Sequence, residues 1–158
     1  MQRKNPSRLK RLLLVALVGL IAWFGWSLVG LHVSEPRGPT SAAEAESITG
    51  IRVPPEAKNI RAASFSQWIQ YAKYLRFEAP PDVCLRFAST VVPGATTQPV
   101  DPSELAYNVF PIRPGVFKYI SWFDLAQAQD VITAGGGPSQ AQVWVDRRRG
   151  VFYYRKTD

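Results

Sequence analysis

Twenty consecutive residues from Leu12 to Leu31, LLLVALVGLIAWFGWSLVGL, carry no charge and no proline, and Ser27 is their one conventionally polar side chain. At ~1.5 Å per residue such a run makes a helix of ~30 Å, the thickness of a bilayer's hydrocarbon core, and a helix satisfies its own backbone groups there. The pattern predicts a single transmembrane helix over 12–31, with Trp23 and Trp26 toward the far interface as aromatic belt residues. A cleaved secretory signal is the competing reading. Its apolar region is usually only about 7–15 residues long, and the small-residue triplets Gly25-Trp26-Ser27 and Ala43-Glu44-Ala45 lie inside the run and well past its end.

Beyond the run the pattern changes. Residues 32–50 hold two prolines, two glycines, small residues and three glutamates, with little to bury, and read as a mobile linker. From Ile51 onward about a hundred residues remain, a common size for one folding unit. Gln140 to Val145 alternates, Asp146 to Gly150 turns and Val151 to Lys156 returns, which predicts a β-hairpin with Gly150 in the left-handed turn position. In it Ala141, Val143 and Val145 share one face and Trp144 takes the other.

Segment 60–78 fits two periods. Helical spacing selects Phe65, Trp68, Ile69, Ala72 and Leu75, while alternation and aromatic density favour two strands, 60–66 and 68–78, and the strands are preferred. Pro80-Pro81-Asp82 opens a short helix to about Thr90, with Cys84, Phe87 and Ala88 on one buried face. Asp101-Pro102-Ser103-Glu104 resembles a second helix start, and Val116 to Phe123 reads as a strand. The sum is an α+β fold: antiparallel strands with one or two short helices on one face, behind the membrane helix and linker. The expected division is 1–11 basic tail, 12–31 span, 32–50 linker and 51–158 domain.

Charge sets the orientation. Five of the 19 basic residues, Arg3, Lys4, Arg8, Lys10 and Arg11, precede the run; after them 14 basic residues face 12 acidic ones, which leaves +2 of the overall +7. The basic balance therefore describes a tail, and the electrostatic case for nucleic acid fails. Positive-inside puts the N-terminus in the cytoplasm and the C-terminal domain outside. Arg outnumbers Lys thirteen to six, a usage that fits a GC-rich bacterial genome. The expected setting is the inner membrane of a bacterial envelope, with the domain periplasmic or extracellular.

The chemistry of catalysis is sparse. The single histidine, His32, precedes the domain and the single cysteine, Cys84, has no thiol partner, which removes the His-based nucleophile systems and most zinc sites from the domain. No cofactor or metal motif stands out. A carboxylate-dependent hydrolase would draw on Glu78, Asp82, Asp124 or Asp130, although no spacing singles out two of them. The domain holds sixteen of the 19 aromatics, a payload that builds a core without disulfides. The candidate partner site is the basic turn Arg147-Arg148-Arg149 with Trp144, Tyr153 and Tyr154 beside it, guanidiniums for an anion and rings for stacking. The bland alternative is a solvated turn that protects a sheet edge. The function expected is non-enzymatic: a single-pass anchored domain binding an envelope protein or an anionic polymer. A secreted soluble factor is the alternative if the N-terminal segment is cleaved.

Overall fold

The structure, a computed structural model, describes residues 6–29, 32–34, 39–67, 70–94, 96–101, 105, 120–135 and 141–157; at 6–9, 26–29, 32–34, 67 and 70 it describes backbone only. The elements run α1 (Pro6–Val29), β1 (His32–Ser34), α2 (Ala42–Thr49), β2 (Lys58–Gln67), β3 (Gln70–Glu78), α3 (Pro81–Val91), β4 (Gln98–Pro99), β5 (Val131–Gly135), β6 (Ala141–Asp146) and β7 (Val151–Thr157). The strands form one antiparallel sheet in the order β1-β2-β3-β7-β6-β5-β4, six strands of three residues or more with the two-residue β4 on one edge. The fold is α+β.

Both faces of the sheet are covered, which explains why VWV in β6 and VFYY in β7 are apolar at every position and do not alternate with polar residues. On one face Ala62, Leu75, Phe77, Val143, Val145, Phe152 and Tyr154 pack against Ala45 of α2 and Cys84 and Ala88 of α3. Phe77 stacks on Phe152 at 4.8 Å, and the Phe87 ring of α3 meets both edge-on at 5.4 and 5.1 Å. On the other face Phe65, Tyr74, Trp144 and Tyr153 pack under Leu105, Ile120, Phe123 and Leu125. The two described helices that follow α1 share one face, although only α3 of the two was expected, and Trp144 takes the opposite face from Val143 and Val145, as the sequence predicts.

Segment 60–78 is a hairpin of two strands whose innermost pair is Gln67 with Gln70. The alternation wins because each strand has a core on both sides, so Phe65 and Tyr74 serve one face and Leu75 and Phe77 the other. The helix over 81–90 forms as α3 with Pro81 at its start. Of the helix expected from Asp101, only Asp101, which is exposed, and Leu105, which is fully buried, are among the described residues. The strand expected over 116–123 falls partly outside them; its described end is a turn closed by the Phe123 N–H donating to Ile120 O at 2.8 Å. β5 has no counterpart in the sequence reading.

The expected mobile linker needs correction. Residues 32–34 pair with β2, His32 opposite Ser66 and Ser34 opposite Ser64. Ala42–Thr49 is a capped helix: the Ser41 hydroxyl accepts from the Glu44 N–H at 3.2 Å, the Glu44 carboxylate accepts from the Ser41 N–H at 3.4 Å, and Gly50 closes the C-terminus at φ 77°. Thr40 N–H donates to Ile60 O at 2.9 Å. Composition misleads here because this helix buries small residues, chiefly Ala45, and needs no large apolar stripe.

α1 is helical through 24 residues. Its side chains are described from Lys10 to Gly25, and among the described residues no helix is long and apolar enough to cross a membrane; the expected span, 12–31, continues past them.

Gly150 ends the β6–β7 turn at φ 63°, its carbonyl accepts from the Ala79 N–H at 2.9 Å, and a Cβ there would stand 2.3 Å from Ala79 O. Backbone, not a flexible side chain, blocks the space. Gly150→Ala should therefore destabilise by about 2 kcal/mol or more, from left-handed strain plus the lost close approach. Urea unfolding of the variant checks this, and an unchanged midpoint would mean that the turn rebuilds freely.

Candidate functional site

The turn that the sequence singles out is held from within. Asp146 is fully buried, and its Oδ1 accepts from the N–H groups of Arg148 and Arg149, each at 3.1 Å. The turn then docks on residues 127–130: Arg147 pairs with Asp130 at 2.6 Å, Arg148 donates to the Gln129 side chain and Arg149 donates to Gln127 O at 3.4 Å. All three arginines are exposed and each already has a partner, Arg149 through its Nη1 alone. Trp144, Tyr153 and Tyr154 are 1, 1 and 3 % exposed, so they are core and not a stacking platform. Tyr154 moreover lies on the face opposite the other two. Of the six expected partner-binding residues, only Arg149 and the edge of Tyr153 reach a cavity together.

That cavity, about 360 Å³, lies between the β2–β3 end of the sheet and residues 121–127, and brings Arg61, Arg76, Arg149, Asn59, Glu78, Asp124 and Trp122 together with Tyr153. Arg61 and Arg76 stand directly opposite each other in the β2–β3 ladder, and Arg76 stands opposite Tyr153 in β7. Like charges directly opposite in a ladder are destabilising unless something neutralises them. Arg76 is neutralised: it binds Glu78 at 2.7 Å, lies largely buried, and sits 6.0 Å from the centre of the Tyr153 ring. The Arg61 side chain makes no hydrogen bond or ion pair with any described residue.

A register irregularity between Lys58 and Arg61 shapes the site. Asn59 takes φ 49°, a left-handed conformation that asparagine tolerates, and its Nδ2 donates to Glu78 Oε2 at 2.6 Å. Burial pushes the Glu78 carboxyl up, but the hydrogen bonds from Asn59 and Arg76 and the charges of Arg76 and Arg149 outweigh it and hold it below its ordinary value. Burial also pushes the Tyr153 phenol up against the pull of Arg76, and its hydroxyl donates to Asp124 O at 3.2 Å. The phenol stays protonated and positions the 121–127 wall.

Two of the four carboxylates considered for hydrolysis, Glu78 and Asp124, share this cavity. Asp82 pairs with Arg86 on the exposed side of α3 and Asp130 pairs with Arg147. A general acid needs a raised pKa, whereas Glu78 is held ionised, and Asp124 Oδ1 is occupied by the Ala126 N–H at 3.0 Å. Cys84 is buried, and burial pushes its thiol up to about 11, the state of a packing residue and not of a nucleophile. Among the described residues no three His, Cys, Asp or Glu side chains come together as metal ligands.

Sequence reasoning missed Arg61 and Arg76. Their signal is the hairpin centre: with Gln67 opposite Gln70, position 61 falls opposite 76. Family models, curated proteins and solved structures show no match to the chain.

Proposed function

We propose that the protein is a membrane-anchored binding module of a bacterial envelope, with its N-terminus in the cytoplasm and its domain outside, and that the arginine cavity receives a carboxylate or phosphate of an envelope protein or anionic polymer. The observation that carries the binding reading is the placement of Arg61 and Arg149 on one cavity in which Glu78 is already committed to Arg76 and Asn59. Arg61 and the guanidinium N–H groups of Arg149 not given to Gln127 O then remain for an external anion, in the fork geometry suited to planar oxyanions. The anchor reading rests on α1, where Leu12, Leu13, Leu14, Val15, Leu17, Val18, Leu20, Ile21, Trp23 and Phe24 are 57–69 % exposed on every side of the helix. A helix apolar all round belongs in lipid or in a protein interior, not in water.

The test uses full-length protein with two probes, inorganic phosphate and a short polyglutamate peptide, read by the rise in unfolding temperature that ligand binding produces. Arg61→Gln and Arg149→Gln should each weaken binding about tenfold, the contribution of one charged hydrogen bond. Arg147→Gln with Arg148→Gln should leave it unchanged. The reverse pattern would return the site to the exposed turn, and no shift with either probe would remove it.

A further inference from the structure

The other end of the sheet carries a second pair of opposed cations. One transverse row reads Ser34, Ser64, Lys73, Lys156, Ala141 across β1, β2, β3, β7 and β6, so Lys73 and Lys156 face each other directly. This row is close to where the chain leaves α1. Only two residues separate Val29 from His32; three Cα steps span at most ~11 Å and two strand residues ~7 Å, which puts Ser34 within ~18 Å of the helix end.

Beside Lys156 opens a groove of about 580 Å³ between the segment after α2, the end of α3 and β7. Ile51, Phe87 and Val91 give it apolar walls, Arg52 and Lys156 stand on it, and among the described residues no carboxylate lines it. Lys73 donates to Thr49 O at 3.3 Å. The side chains of Arg52 and Lys156 make no hydrogen bond or ion pair with any described residue. An unneutralised Lys–Lys pair in a ladder is a standing cost to the fold. An anion held beside it offsets that cost, and the apolar walls suit a ligand that is greasy as well as charged.

We propose that this groove binds an anionic phospholipid of the leaflet facing the domain, with the phosphate between Arg52 and Lys156 and the first part of an acyl chain against Ile51, Phe87 and Val91. The proposal rests on the reading of α1 as the membrane anchor. Bound lipid holds the sheet by its α1 end against the bilayer and turns the arginine cavity, at the opposite end of β2 and β3, toward the aqueous side.

The experiment places the full chain in nanodiscs of phosphatidylcholine, with and without phosphatidylglycerol, and measures by native mass spectrometry the lipids retained on release. Wild type should be enriched in phosphatidylglycerol over the bulk ratio. Arg52→Gln with Lys156→Gln should cut the enrichment by roughly 25-fold, about fivefold per cation near an anionic surface. The basic tail attracts the same lipid, so the comparison is between two chains that both keep it. Equal retention by the two overturns the inference, as does displacement of the lipid by inorganic phosphate alone, which would make this a free-phosphate site. Failure to enter phosphatidylcholine nanodiscs at all counts instead against the anchor, so the two readings fail separately.

Discussion

Replacing Trp144 with alanine should destabilise the domain by about 3–5 kcal/mol, the range for truncating a large buried aromatic. Trp144 is 1 % exposed, its ring meets Phe123 edge-on at 6.1 Å, and the Arg155 guanidinium lies 5.5 Å from its centre. Phe123 in turn touches Tyr74 and Tyr153 at 5.1 and 5.3 Å. Trp144 therefore supports the segment that supplies Trp122 and Asp124 to the arginine cavity. The variant should lose anion binding as a consequence of loosening that wall, and Trp144→Phe should recover most of both. Urea denaturation monitored together with the phosphate probe separates this from a stacking role. A stacking residue would lose binding with its unfolding midpoint unmoved, and that result would return Trp144 to the binding surface.

The same residue shows why the fold was more legible than the site. The β6–β7 hairpin could be read from local signals, alternation and a turn glycine, and Trp144 could be assigned a face. What lies on that face is supplied from residues 105 and 120–128, distant in sequence, so burial was not readable. Tyr153 and Tyr154 follow the same logic: two adjacent aromatics in a strand point to opposite cores once both faces are covered. The 32–50 segment was misread for the opposite reason. Its capping box, Ser41 with Glu44, is a local signal, but a helix that buries alanine gives no apolar stripe to accompany it. Arg61 and Arg76 become neighbours only once the hairpin is centred between residues 68 and 69. Strand limits of 60–66 and 68–78 put the centre elsewhere. Lys73 with Lys156 depends on the β3–β7 pairing, which joins positions 83 residues apart and leaves no local trace.

The second large effect is expected in α1. An aspartate near the centre of a membrane-spanning helix costs about 2.5–3.5 kcal/mol, so Leu17→Asp with Ile21→Asp should shift the chain from the carbonate-resistant membrane pellet to the supernatant. Exposure is much the same around the helix, 57 % at Leu17, 62 % at Leu20 and Ile21, and 69 % at Trp23. Lipid contact on every side then predicts that single aspartates at Leu17, Leu20 and Trp23 weaken retention to similar degrees. A protein partner gripping one face would instead make one position sensitive and leave the others tolerant, and release of the wild-type chain by carbonate would remove the anchor. Retention also bears on the domain, because β1 begins within three residues of the end of α1 and is itself the edge of the sheet. On the proposed anchoring, the short connection would hold that edge near the bilayer and so limit the height of the sheet above it. Inserting a flexible Gly-Ser stretch between Val29 and His32 should keep the protein in the pellet while reducing its phosphatidylglycerol enrichment, since the groove at Lys156 is then no longer held at the surface.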